Sequence, residues 1–113
     1  MTTSLREGIL LSLDSVRLFA DGAAVRTVGT KTFRVCNRLV DDMITVRTDQ
    51  ICNSIKLTYN NARVFLDPAG ALGVAGMKKY LQDNGVTGST VVVVTYGANM
   101  DFDCLRFVSE RAE

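Results

Sequence analysis

At 113 residues the chain is long enough for one domain, and with 47% hydrophobic and 22% charged residues it is globular rather than disordered. Its net charge is only +1 and its basic residues are scattered, so binding to nucleic acid has little support. The chain has no histidine, which excludes Ser-His and Cys-His nucleophile pairs. Its three cysteines are far apart, and predict reduced thiols packed as small hydrophobes and no metal site.

Targeting and membrane signals are absent from the sequence. The longest weakly polar run, Ala69–Met77, is too short to span a bilayer. The N-terminus has neither an apolar segment nor an Arg/Ser-rich transit pattern. We therefore predict a cytoplasmic protein with no membrane contact, although an upstream targeting segment could have been lost.

The first half of the chain predicts helices, one turn and one short strand. Capping residues and apolar spacing place them as a helix at 3–8 ending at Gly8, a turn at Asp21-Gly22, a helix from Thr30 to about Val40, a strand at Met43–Val46 and a helix from Thr48 or Asp49 to about Tyr59. In the last of these helices Ile51, Cys52, Ile55 and Tyr59 recur at helical spacing. They predict its buried face.

A further helix is predicted from Pro68 to about Gln82, followed by Gly85 as its terminator. Aspartate at the N-cap followed by proline at the first helical position, as in Asp67-Pro68, is a strong helix start. This helix contains three glycines, each of which costs roughly 1 kcal/mol against alanine in a helix interior. They indicate that a strand, another helix or a ligand comes close to the helix backbone, with packing the commoner cause.

The segment Thr90–Thr95 contains four consecutive valines and shows no alternation, which is typical of a parallel strand buried on both faces. It leads into Tyr96–Asn99, and ligands in open α/β sheets bind beyond the carboxyl ends of strands. A last short helix, capped by Asn99 or Asp101, carries apolar residues from Phe102 to Val108. Alternating helices and strands predict an α/β fold, but two strands rarely make a stable sheet. The chain is therefore interpreted as the end of a larger α/β domain.

Several motifs now stand together in order. They are Phe19–Val25 (FADGAAV), Thr32–Cys36 (TFRVC), Leu39–Asp42 (LVDD), Asp67–Tyr80 (DPAGALGVAGMKKY) and Tyr96–Phe102 (YGANMDF), closing on Leu105–Arg111 (LRFVSER). Together they resemble the biosynthetic threonine dehydratases, which are relatives of the serine dehydratases and serine racemases. The resemblance covers nearly the whole chain.

The resemblance implies a pyridoxal phosphate (PLP)-dependent lyase of the tryptophan-synthase-β-like fold (fold type II), with a few parallel strands flanked by helices. The family deaminates L-threonine, or L-serine in its relatives, and the threonine reaction gives 2-oxobutanoate and ammonia for isoleucine biosynthesis. PLP acts as the electron sink. Residues 1–113 would then be part of the catalytic domain, without its N-terminal half and without the regulatory domain.

The resemblance also implies cofactor-binding positions. Tyr96, Gly97 and Asn99 match the family's Ser-Gly-Ala-Asn turn, with tyrosine where the family has a serine that contacts the PLP pyridine nitrogen. The tyrosine either points away or fills space that the cofactor needs, and as a strand-end aromatic it could simply fill space. Asp67 matches a family glutamate near the cofactor, although helix capping explains it as well. Gly22 and Ala23 match a loop bordering the active site, or form an ordinary turn.

No catalytic residue is assigned. The family's imine-forming lysine segment and its phosphate-binding glycine run are missing, and the four lysines fall on predicted helices as solvated side chains. The isolated chain is therefore predicted to be inactive unless another chain supplies the missing half. The alternative is a non-catalytic truncated homologue that persists as a remnant or as an interaction piece, which forms a homo-oligomer or pairs with a full-length homologue. A third option, an anion at the helix start at Asp67-Pro68, is opposed by the aspartate itself.

Overall fold

The computed structural model describes residues 1–16 and 18–112, which form two compact units, Met1–Thr45 and the described residues from Val46 onward. The described residues contain five α-helices and one 3₁₀ helix. These are α1 (Thr2–Glu7), the 3₁₀ helix (Asp21–Ala23), α2 (Thr30–Leu39), α3 (Thr48–Ala62), α4 (Leu72–Asn84) and α5 (Cys104–Arg111). None of these helices is long and apolar enough to cross a membrane.

In the first unit α1 packs against α2, and the predicted helix over residues 3–8 is confirmed. Gly8 follows α1 in the left-handed conformation, with φ at 70°, as expected of a glycine that ends a helix. The buried side chain of Ser4 accepts a hydrogen bond from the backbone N–H of Leu11 at 3.1 Å. This bond ties the segment after α1 back onto the helix.

The second unit is built around α3, which contacts both α4 and α5. Ile51, Cys52 and Ile55 are buried, so the predicted inner face of this helix is confirmed for these three residues. Burial raises the pKa of the Cys52 thiol, which keeps it neutral and lets it pack as a small hydrophobe. The fourth residue of the predicted face, Tyr59, is partly exposed and stacks on Phe65 with 4.2 Å between ring centroids.

The later helices begin a few residues after their predicted starts. Residues 68–71 form a turn, and α4 begins at Leu72 and ends before Gly85, whose φ is 61°. The last helix begins at Cys104, whose N–H donates to the carbonyl of Asp101 at 3.0 Å. A capping side chain therefore predicts the start of a helix only to within a few residues, because a turn can precede the first regular helical hydrogen bond.

The parallel strands of the predicted α/β fold, at Met43–Val46 and Thr90–Thr95, are not formed in the part of the chain that the structure describes. The β-contact found there is an isolated antiparallel bridge between Ser12 and Thr27. Val92 and Val94 are 88% and 75% exposed, so the prediction that Thr90–Thr95 is buried on both faces is wrong for the chain as it stands. A strand forms by pairing its backbone with a neighbouring strand, and none pairs with this segment among the described residues.

Candidate functional site

Asp67 joins the start of the α4 region to the segment that follows Thr95. Its backbone N–H donates to the carbonyl of Gly97 at 3.1 Å. Its side-chain Oδ1 accepts a hydrogen bond from the N–H of Gly70 at 2.6 Å. The N-cap of α4 is Ala71, without a side-chain cap, so Asp67 closes the turn at residues 68–71 rather than capping the helix as predicted.

Glycines allow this close approach of two backbones. A methyl group at Gly70 would overlap the carbonyl oxygen of Tyr96, and one at Gly73 would lie 2.8 Å from the carbonyl oxygen of Val94. Gly97, at φ 75°, has the Asp67 carboxylate where a side chain would stand. The predicted close contact to the glycine-rich helix is thus confirmed for Gly70 and Gly73, and its partner is the chain segment 94–97. Gly76 has open space around it.

The structure brings Asp67, Tyr96 and Gly97 together. Their assignment to a cofactor site stays a prediction. Tyr96 is held by its backbone, whereas its residue surface is 52% exposed and its hydroxyl makes no hydrogen bond within the described residues. Asn99 is exposed as well. These two side chains are available to a group that approaches from outside the second unit.

Gly22 and Ala23 belong to the first unit and are exposed in the 3₁₀ helix. The carboxylate of Asp21 accepts the N–H of Gly22 at 2.7 Å, and the N–H of Ala23 donates to the carbonyl of Ala20 at 2.9 Å. This geometry is the turn that the sequence predicted. Its assignment to a cofactor stays a prediction.

The amines of the chain are engaged away from the Asp67–Gly97 contact. Lys56 donates to the carbonyl of Ala112, Lys78 to the side chain of Asn53, and Lys79 pairs with Asp83. Lys31 lies exposed on α2, in the first unit. Among the described residues of the second unit, no lysine contact to residues 96–99 is present.

These groups do not by themselves fit PLP, which needs an amine for covalent attachment and donors or cations for its phosphate. The turn offers the Tyr96 hydroxyl, the Asn99 amide and backbone groups, and its charged member is the carboxylate of Asp67. Within the described residues no group of three or more Cys, Asp or Glu side chains is placed to hold a metal ion.

Sequence reasoning missed one polar contact on the other side of α4. Lys78, expected to be solvated, is half-buried and donates to Asn53 Oδ1 of α3 at 3.0 Å. The two residues are on different helices, so no local spacing could have paired them.

A family model described as pyridoxal-phosphate dependent enzyme matches residues 1–97 of this chain. Similar proteins include the biosynthetic L-threonine dehydratase of Burkholderia multivorans, 50% identical over 100% of this chain and 22% of that protein. The chloroplastic threonine dehydratase 1 of Solanum lycopersicum is 46% identical over 100% of this chain and 19% of that protein. The chain thus spans about a fifth of the length of these relatives.

Solved structures of a threonine deaminase and a serine racemase are similar to this chain. The processed form of threonine deaminase isoform 2 from Solanum lycopersicum superposes with a TM-score of 0.96 and 40% identity, covering 98% of this chain and 32% of that one. A maize serine racemase superposes with a TM-score of 0.80 and 28% identity, covering 96% of this chain and 35% of that one. The resemblance to threonine dehydratases that the sequence motifs predicted is confirmed, and with it the fold family.

Proposed function

The chain belongs to the pyridoxal-phosphate dependent enzyme family, and from this premise we propose that it is the C-terminal part of a threonine dehydratase catalytic domain. The reaction of the whole domain would be the deamination of L-threonine to 2-oxobutanoate and ammonia, with L-serine as a second substrate. In this proposal the location is cytoplasmic and the pathway is isoleucine biosynthesis.

The observation that carries the proposal is the contact of residues 94–97 with Gly70, Gly73 and Asp67. It holds the backbone of residues 94–97 against the start of the α4 region. A preformed turn of this kind is what a bound cofactor requires of its protein, because ordering the turn at binding would lower the affinity. The agreement with a solved threonine deaminase supports the same conformation in an intact domain.

We propose that Thr90–Thr95 becomes a parallel strand when the remainder of the domain lies beside it. Val92 and Val94 are exposed in this chain, and burial of each valine side chain would be worth about 1.5–3 kcal/mol. The same pairing would satisfy the backbone groups of the segment. The few parallel strands expected from the resemblance therefore depend on residues beyond these 113.

When PLP is bound in such a domain it supplies an electron sink for the α-carbon of the substrate. The second unit would contribute Tyr96, Gly97 and Asn99 to the site, with Asp67 holding Gly97. Gly22 and Ala23 of the first unit stay separate predictions that rest on the family motif. Among the described residues of the second unit, the chain contributes no amine and no phosphate-binding cation at the turn. The isolated chain is therefore proposed to be inactive.

The second candidate is a non-catalytic homologue that pairs with a full-length chain or with its own copies. The exposure of Val92 and Val94 favours it, because apolar side chains in one segment form a surface suited to another chain. Tyr96 also favours it, since a large exposed aromatic stands at the position expected to face the cofactor.

Titration of the purified chain with PLP tests whether the isolated chain is active, which both candidate functions exclude. We expect no imine absorbance band, no lysine adduct after borohydride reduction and no 2-oxobutanoate from L-threonine. The chain is then mixed with a polypeptide holding the other part of a related dehydratase's catalytic domain, with Gly97→Val as the matched variant. Activity restored by the native chain and not by Gly97→Val supports the catalytic-domain proposal. Stable binding without activity supports the non-catalytic homologue, and product from the chain alone would contradict both.

A further inference from the structure

A polar groove of about 200 Å³ opens in the second unit between the start of α3, the middle of α4 and the last residue of α5. Its small floor residues are Ser54 and Ala75, both buried. Its charged walls are formed by four cations and one carboxylate. These are Arg47, Lys78, Lys79, Arg111 and Asp49. The groove is thus strongly cationic in a chain whose net charge is only +1.

Two of the four cations are neutralised by carboxylates. Arg47 pairs with Asp49 at 2.6 Å, and Lys79 pairs with Asp83 at 2.6 Å. The hydrogen bond from Arg47 holds the pKa of Asp49 below its usual value, so this carboxylate stays ionised at neutral pH. Lys78 and Arg111 have no ion pair with a carboxylate among the described residues. They supply the positive charge of the groove.

Lys78 is positioned by Asn53. Its Nζ donates to Asn53 Oδ1 at 3.0 Å, and the side chain is only half-exposed. An ammonium group has three N–H donors, so this bond leaves two for a ligand in the groove. The neighbouring amide also restricts the lysine to one position, which lowers the entropy lost when a ligand binds.

Arg111 is positioned in a different way. The central carbon of its guanidinium lies 3.7 Å from the centroid of the Phe107 ring, one turn earlier on α5. Stacking on a ring face fixes the plane of a guanidinium and leaves its N–H edge for planar hydrogen bonding. Lys56 of α3 donates to the carbonyl of Ala112 at 3.1 Å and so holds the end of α5 beside the groove.

We propose that this groove binds a small oxyanion of the phosphate class between Lys78 and Arg111. A guanidinium edge and an ammonium are the two groups that proteins use for phosphate, the first as a fork and the second as a point charge. The volume suits inorganic phosphate or the phosphate of a small metabolite, whereas a polypeptide would need a longer surface. The site shares no residue with the 96–99 turn, so it does not depend on the proposed function.

The test is a titration of the ¹⁵N-labelled 113-residue chain with sodium phosphate and, in a second arm, glycerol phosphate, at an ionic strength held constant with chloride. We expect saturable shifts of the Asn53 side-chain amide and the Arg111 guanidinium, with a Kd on the order of 1 mM, as for other small, partly exposed ligands. Tighter binding of the ester indicates a metabolite as the source. Equal binding indicates free phosphate.

Two variants and one matched control decide the outcome. Lys78→Gln and Arg111→Gln should each raise the Kd for phosphate about fivefold or more, since each removes one charge-assisted contact. Lys31→Gln makes the same change of net charge on α2, in the first unit, and should leave the Kd unchanged. Dispersed spectra establish that each variant is folded. Shifts that do not saturate, or an equal loss of binding in Lys31→Gln, would overturn the proposal.

Discussion

The inner face of α3 and the valine segment Thr90–Thr95 are both strongly apolar, yet they have opposite environments. Ile55 of α3 is 1% exposed, whereas Val92 is 88% exposed. A helix satisfies its backbone hydrogen bonds within itself, so it needs only one covering surface. A strand needs neighbours for its backbone as well as its side chains. An apolar segment therefore becomes part of the core only where its backbone N–H and C=O groups already have hydrogen-bond partners.

The largest expected difference between the two regions is the loss of unfolding free energy when an apolar side chain is shortened to alanine. Ile55→Ala should lower the free energy of unfolding by about 3 kcal/mol, because it removes buried methyl groups and leaves a cavity beside Cys52. Val92→Ala should change it by less than about 0.5 kcal/mol. Urea denaturation followed by far-UV circular dichroism measures both. Equal losses would mean that the valine segment is buried in solution.

The next largest effect is the difference in stability between alanine variants of a crowded glycine, Gly70, and an uncrowded one, Gly76. Gly70→Ala places a methyl group onto the Tyr96 carbonyl and should cost about 2 kcal/mol as the 94–97 segment moves away. Gly76→Ala has open space and should stabilise the chain by about 0.5–1 kcal/mol through better helix propensity. Thermal unfolding of the two variants gives the comparison. A loss of stability in Gly76→Ala would contradict it.

A smaller effect is expected at Asp67, whose carboxylate accepts the Gly70 N–H. Asp67→Ala should cost about 1 kcal/mol, the usual net value of one hydrogen bond. Asp67→Asn keeps an acceptor oxygen and should recover most of the loss. Hydrogen exchange at the Gly70 amide reports the bond directly. If Asp67→Asn were as unstable as Asp67→Ala, the charge of the carboxylate would matter more than its hydrogen bond.

The smallest expected effect is the pH dependence from Asp49. Its hydrogen bond with Arg47 lowers its pKa below the ordinary 3.8, so the folded state binds this proton less readily than the unfolded state. The contribution is fully present above pH 3.8 and is lost as the pH falls through the lower folded value. Asp49→Asn should remove this part of the acid dependence. Unfolding curves at low salt between about pH 2 and 5 show it, because salt screens an exposed pair.

Sequence patterns predicted those features that depend on residues close together in the chain, such as helix faces and helix ends. The inner face of α3 and the glycine ends of α1 and α4 follow from residues within one or two turns of each other. The N-cap predicted at Asp67 instead closes a turn that precedes α4. The close contact at Gly70 and Gly73 was predictable as a contact, since helix glycines are costly, but its partner was not.

The misses all involve groups distant in sequence. The state of Thr90–Thr95 depends on neighbouring strands, which the four valines require but cannot supply. The bond between Lys78 and Asn53 joins two helices whose packing no single-helix pattern encodes. The candidate site at residues 96–99 was proposed from its motif, and the structure shows that residues 94–97 contact Asp67, Gly70 and Gly73. Its relation to a cofactor stays a prediction.

The exposed valine segment has a consequence for the behaviour of the chain at high concentration. Thr90–Thr95 is six residues long, β-branched throughout, and has no charge, proline or glycine. Such hexapeptides stack in register and interdigitate as steric zippers, which are the spines of cross-β fibrils. The chain should therefore nucleate amyloid through this segment after a concentration-dependent lag. A lysine at position 93 should lengthen that lag, because identical charges would then stack every 4.7–4.8 Å or so along the fibril.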